Sequence, residues 1–257
     1  MKPLPVLLSL ACAANAQTLP PTPEISIPRA DTKPLLTADA NDPAWLGAAI
    51  IPSLSFSEGV PSHLPKPLTE VRLLWDAEAL YARFTTSSES LESPFDERDA
   101  NHYEGDVVEV FFDPVGDGVN YFEVQVSPRN KILDLLALAT APLVNDPNGI
   151  ITNRHELWHL REWNMPGLQT AATVENGQWI TDIALPAKPL LKRLQRETFE
   201  GDMSLRANFL RYTWPTLDGK RWLAAQNWSV VMCGMPHLSP ARMGTLRLKE
   251  DVRPARR

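Results

Sequence analysis

Residues Arg154–Leu160 read RHELWHL and contain His-Glu-x-x-His. On a helix, His155 and His159 would stand one turn apart on one face and could ligate zinc. Glu156 would sit beside the metal as general base for a bound water. That reading needs a helix over about 152–162, stopped by the Asn-Met-Pro-Gly at 164–167. It also needs a third ligand, and no HxxGxxH pattern follows. The downstream Glu175 lies in TVENGQW, which reads as a hairpin turn. A zinc hydrolase is therefore a rival reading, set against a surface or core histidine pair. Glu109 and Glu123, if on neighbouring strands, resemble a glycosidase carboxylate pair, although carboxylates that only bind hydroxyls look the same. Met232, Met235, His237 and Met243 could supply an axial ligand to a b-type haem, the chemistry of an electron-transfer module. Asp96, Glu97, Asp99 and Asp106 offer oxygens to calcium without a loop of fixed spacing, so a charged surface loop is the simpler reading. No serine or cysteine nucleophile motif and no glycine-rich phosphate loop is present.

The elements that must position these groups are mostly strands. EVRLLWD (Glu70–Asp76) and ALYARFTTS (Ala79–Ser87) form one expected hairpin. DVVEVFFD (Asp106–Asp113) and VNYFEVQVS (Val119–Ser127), joined by PVGDG, form another. QWITDIALP, LRANFLRYTW and GTLRLK add further strands. Alternation puts Phe122, Val124 and Val126 on one face and Tyr121, Glu123 and Gln125 on the other. Leu205, Ala207 and Phe209 alternate in the same way with Arg206 and Asn208. Such strands bury one face and present a polar one, which predicts an all-β antiparallel sandwich of jelly-roll type. One amphipathic helix is expected at AKPLLKRLQRET (Ala187–Thr198).

Residues 1–16 combine Lys2, a short apolar run and the Ala-Asn-Ala at 14–16, the pattern of a cleaved export signal. A secreted or periplasmic location is expected, with no membrane span, since the run is too short to cross a bilayer. The mature chain then keeps one cysteine, Cys233, and no disulfide framework. A proline-rich arm is expected at 17–34, one domain at 35–250 and a basic tail at 251–257. The net charge of −6 argues against nucleic acid and anionic membranes as partners. Of eight tryptophans, Trp45, Trp75 and Trp179 are expected in the core. Trp214, Trp222 and Trp228 bracket the polar loop PTLDGKR.

Taken in order, DANDPAW (Asp39–Trp45), VRLLWDAEALYARF, YEGDVVEVFFDP, NYFEVQVSPRNKILD, GQWITDIALP, LRANFLRYTW and PARMGTLRL resemble carbohydrate-binding module family 9, over roughly Leu35 to Lys249. The resemblance implies a non-catalytic β-sandwich that binds a saccharide between two tryptophans, with polar side chains on its hydroxyls and, in many members, structural calcium. Carried over residue by residue, Tyr103 stands where the first clamp tryptophan belongs and His237 where the second does. Glu109 matches the acidic ligand residue, Glu123 replaces an arginine, and Asn208 lies on a strand that supplies amides. The resulting expectation is a saccharide-binding domain, not an enzyme, with no cofactor beyond calcium. Tyr103 and Trp222 are the stacking candidates, with His237 nearby; Glu109, Glu123, Gln125, Asn208 and Arg206 are the hydrogen-bonding candidates. A domain that has lost its ligand and serves a protein partner is the plainer alternative.

Overall fold

The computed structural model describes residues 19–87, 91–147, 149–232 and 235–250. The export-type segment 1–16, Cys233 and the tail 251–257 lie outside the described residues. In chain order the first strands are β1 (Glu24–Pro28), β2 (Ala49–Ile51), β3 (Ser55–Phe56), β4 (Thr69–Trp75) and β5 (Ala79–Ser87). The middle of the chain forms β6 (Val107–Asp113), β7 (Tyr121–Val126), β8 (Ile132–Ala139) and β9 (Leu157–Leu160). The rest supplies β10 (Gln169–Glu175), β11 (Gln178–Pro186), β12 (Ser204–Thr213), β13 (Thr216–Leu217), β14 (Lys220–Arg221), β15 (Ala224–Asn227) and β16 (Gly244–Lys249).

Two sheets face each other. The larger runs β1-β16-β12-β6-β7-β8-β9, with β15 beside β12 and β3 beside β15; the smaller runs β10-β11-β5-β4-β2. The β1–β16 pair is parallel and the other ladders are antiparallel. Both expected hairpins form, as β4–β5 and β6–β7. Glu175-Asn176-Gly177-Gln178 closes β10–β11 with positive φ at both central residues, the backbone that an Asn-Gly turn favours. Between the sheets lies the main core, where Val108, Val110, Phe112, Phe122, Val124, Val126, Leu205, Ala207 and Phe209 meet Val71, Leu73, Phe84, Trp179 and Ile183. Trp45 is buried on the far side of the smaller sheet. The Arg83 guanidinium lies 4.7 Å from its ring centroid, and Arg83 is itself held by two hydrogen bonds to Asp182.

Three expectations change. The arm carries β1, so part of it is a strand of the larger sheet. The helix expected over Ala187–Thr198 is one turn, α1 (Ala187–Leu190), followed by a 3-10 turn at Lys192–Leu194. Leu190 and Leu191 are both wholly buried; adjacent residues lie on different sides of a helix, and Leu191 leaves helical geometry at φ −91°, ψ 3°. The third change concerns RHELWHL, which is not a helix. Arg154–Glu156 is a 3-10 turn and Leu157–Leu160 is β9, paired with β8. Strand pairing here overrides a weak helical preference.

Candidate functional site

The register of the larger sheet assembles one set of side chains on its outer face. One row across β12, β6, β7 and β8 is Leu210, Glu109, Gln125 and Leu133; the next is Asn208, Phe111, Glu123 and Leu135. Tyr121 pairs with Ala137, and Ala137 with His159. The alternation seen in the chain is therefore real, but the polar face is not open. Val107, Phe111, Tyr121, Leu133, Leu135, Leu157, Leu210, Tyr212 and Met243 form a second apolar cluster there, flanked by Val60, Tyr103, Leu143 and Leu223 from loops. These loops roof the face, and Glu109, Glu123 and Gln125 are all buried beneath them.

Burying carboxyls in such a cluster has consequences. Neither oxygen of Glu109 has a hydrogen-bond partner, and Gln125 Oε1 also lacks one. Gln125 donates its Nε2 to Glu123 Oε1 at 2.5 Å. Burial, reinforced by Glu123, holds the Glu109 carboxyl well above the usual carboxylate range. Burial also pushes Glu123 up to about 7, against the lowering effect of the Gln125 hydrogen bond. His159 and His237 are both driven down to about 4 by desolvation, with the neighbouring His237 adding to the effect on His159.

His159, Tyr121, His237 and Glu123 form a file. The Tyr121 hydroxyl lies 3.3 Å from His159 Nε2 and 2.7 Å from His237 Nδ1. His237 Nε2 is 3.2 Å from Glu123 Oε2, although poorly aligned for a hydrogen bond. A hydroxyl has one proton, so Tyr121 donates to one histidine and accepts from the other. A protonated Glu123 orients the file toward His159, and an ionised Glu123 orients it the opposite way.

Of the expected site residues, the structure brings Glu109, Glu123, Gln125 and His237 together. Tyr103 lies at their margin, packed against the second apolar cluster. The Asn208 side chain is consumed by backbone: Nδ2 donates to the Ser229 carbonyl, and Oδ1 accepts from the Ser229 and Phe209 amides. Arg206 donates to the carbonyls of Ala241 and Met243 and so fixes that loop. Both were expected to bind ligand; each instead holds its neighbouring segment in place. Trp222 stands apart, on the β13–β14 arm, with the Lys220 ammonium 3.7 Å from its ring centroid and His63 edge-on. Tyr121 and Arg161 belong to the site and were not singled out. Tyr121 was legible, two residues before Glu123 on the same face. Arg161 was not, since a loop carries it to Asn101 Oδ1 and the Asp99 carbonyl.

His155 is exposed beside Glu156, while His159 belongs to the file, so the two do not share a metal-binding face. Among the described residues, no three His, Cys, Asp or Glu side chains are grouped to hold a metal ion. Asp106, one of the four carboxylates of the charged stretch 96–106, pairs with the buried Arg211.

The family model for carbohydrate family 9 binding domain-like sequences matches residues 37–250. The chain belongs to that family. Among solved structures, a family 9 module from Caldicellulosiruptor kristjanssonii in complex with glucose is 13% identical, with TM-score 0.62, covering 91% of this chain and 100% of the module. The same module with cellotriose is 14% identical, with the same TM-score and coverage. A Bacteroides uniformis ATCC 8492 protein, provisionally assigned as carbohydrate-binding, has TM-score 0.64 at 13% identity, covering 88% of this chain and 99% of that one. No curated protein sequence matches. At these identities the likeness concerns the fold.

Proposed function

We propose that this chain is a secreted, non-catalytic domain that binds a saccharide on the outer face of its larger sheet, at Glu109, Glu123 and Gln125. The observation that carries the proposal is the set of buried acceptor atoms without donors, beneath aromatic and histidine side chains. Sugar hydroxyls donate to such acceptors, and the apolar C–H faces of a pyranose suit Tyr103 and the His237 ring. The solved family 9 module binds glucose and cellotriose, which supports a saccharide as the ligand class. The export-type first 16 residues support a location outside the cytoplasm. The approach from solvent is past His237, whose side chain is 28% exposed where Glu123 is 1%.

The test is calorimetric titration of a panel of mono- and oligosaccharides against the wild type and Glu109→Ala. Loss of acceptor hydrogen bonds predicts weakening by about 1–3 kcal/mol. Equal affinity of the variant for a sugar that binds the wild type would remove Glu109 from the site.

A further inference from the structure

The donors and acceptors of the site are unequal. Glu109 contributes two oxygens without partners, Gln125 one, and Glu123 one that has only the misaligned His237 nearby. None of the nearby cations donates a hydrogen bond to these acceptors: Arg161 bonds Asn101 and the Asp99 carbonyl and reaches Glu123 only through its charge, Arg206 bonds the Ala241 and Met243 carbonyls, and Arg242 bonds the Val230 and Pro20 carbonyls. A sugar hydroxyl donates once and brings no charge that would let either buried carboxyl ionise. An ammonium group donates three times, accepts nothing and carries the charge that a buried carboxylate lacks. We infer that the saccharide is an amino sugar, whose protonated amine is received by Glu109, Glu123 and Gln125. This inference rests on the saccharide-binding reading above and narrows it to a cationic class.

Proton balance follows from the same groups. The titratable and charged side chains around the acceptors are Glu109 on β6, Tyr121 and Glu123 on β7, Tyr212 on β12, His159 on β9, His237 on its turn, and Tyr103 and Arg161 on loops. Burial keeps the carboxyls protonated toward neutral pH, so an entering ammonium expels a carboxyl proton. The file through Tyr121 can then reverse, and His237 Nε2–H turns toward the ionised Glu123. A neutral sugar asks for no such release.

The experiment titrates the full chain at pH 7 with the glucosamine disaccharide, its N-acetylated form, cellobiose and ethanolamine. Each is run in two buffers of different ionisation enthalpy, with Glu123→Gln alongside. The expected result is at least tenfold tighter binding of the free-amine disaccharide, with proton release seen for that ligand alone. The preference should fall severalfold in Glu123→Gln, with circular dichroism confirming its fold. Cellobiose or the N-acetylated dimer binding as tightly as the free amine would overturn the amino-sugar inference and leave the saccharide reading standing. Ethanolamine binding as tightly would overturn it as well, since the sugar ring would then contribute nothing. Failure of every saccharide to bind would overturn both.

Discussion

Glu123→Gln should change how stability depends on pH. The carboxyl stands at 4.5 when free and about 7 in the fold, a difference that corresponds to about 3 kcal/mol. Because the folded value is raised, the contribution to stability is fully present below pH 4.5 and is lost as pH rises through about 7. Glu109, raised by the same burial, acts in the same direction. His159 and His237 act oppositely: lowered from 6.5 to about 4, they are stabilising above pH 6.5, and that stability is lost as pH falls through 4. Between pH 4.5 and 6.5 the two sets offset, so the wild-type profile alone is uninformative. The difference between variant and wild type isolates the carboxyl. Urea unfolding at each pH from 4 to 8 should show Glu123→Gln gaining about 3 kcal/mol on the wild type across that range. The neighbouring Glu109 loses an unfavourable charge in the variant, which adds to the gain. A difference that stays constant within about 0.5 kcal/mol from pH 4 to 8 would refute the claim that Glu123 is desolvated by the roofed face.

Asp182→Ala removes both acceptors of the buried Arg83 and the partner of the Ala38 amide. It should cost about 3–5 kcal/mol in chemical denaturation, and a loss below 1 kcal/mol would mean that the arginine finds water. Gly244→Ala places a Cβ within 2.4 Å of the Trp228 ring; overpacking of about 1–3 kcal/mol should appear as a lower unfolding midpoint. His155→Ala should be neutral within about 0.5 kcal/mol, because the ring projects into solvent beside Glu156. A stoichiometric zinc found by elemental analysis and lost in that variant would contradict the strand geometry of 157–160.

Local order was legible in the chain. Period-two alternation in 121–126 and 205–212 separated core from outer face, and Asn176-Gly177 marked its hairpin because both residues tolerate positive φ. The roof over the outer face was not legible. It is built by segments from separate parts of the chain, including Val60, Tyr103, Leu143, Leu223 and the turn carrying His237, none of which has a period that points to the sheet. The same limit explains Asn208 and Arg206, whose types suit ligand contact but whose neighbours are backbone carbonyls brought close only by the fold. RHELWHL misled because a five-residue spelling fixes no conformation; pairing of His159 with Ala137 does.

The parallel pairing of Glu24–Pro28 with Thr245–Lys249 has a kinetic consequence. The two partners lie more than two hundred residues apart, so their ladder cannot form until β16 has been made. At a synthesis rate of about 5–20 residues per second, β1 waits on the order of ten to forty seconds for its neighbour. During that interval β1 lacks its ladder, although β4–β5 and β6–β7 can already form as local hairpins and β4 already offers Trp75, whose indole donates to the Ile27 carbonyl. Completion of the sandwich is thus late and long-range, in an otherwise hairpin-built molecule. The β1–β16 ladder is the last completed in the larger sheet, and it supplies that sheet with its edge strand.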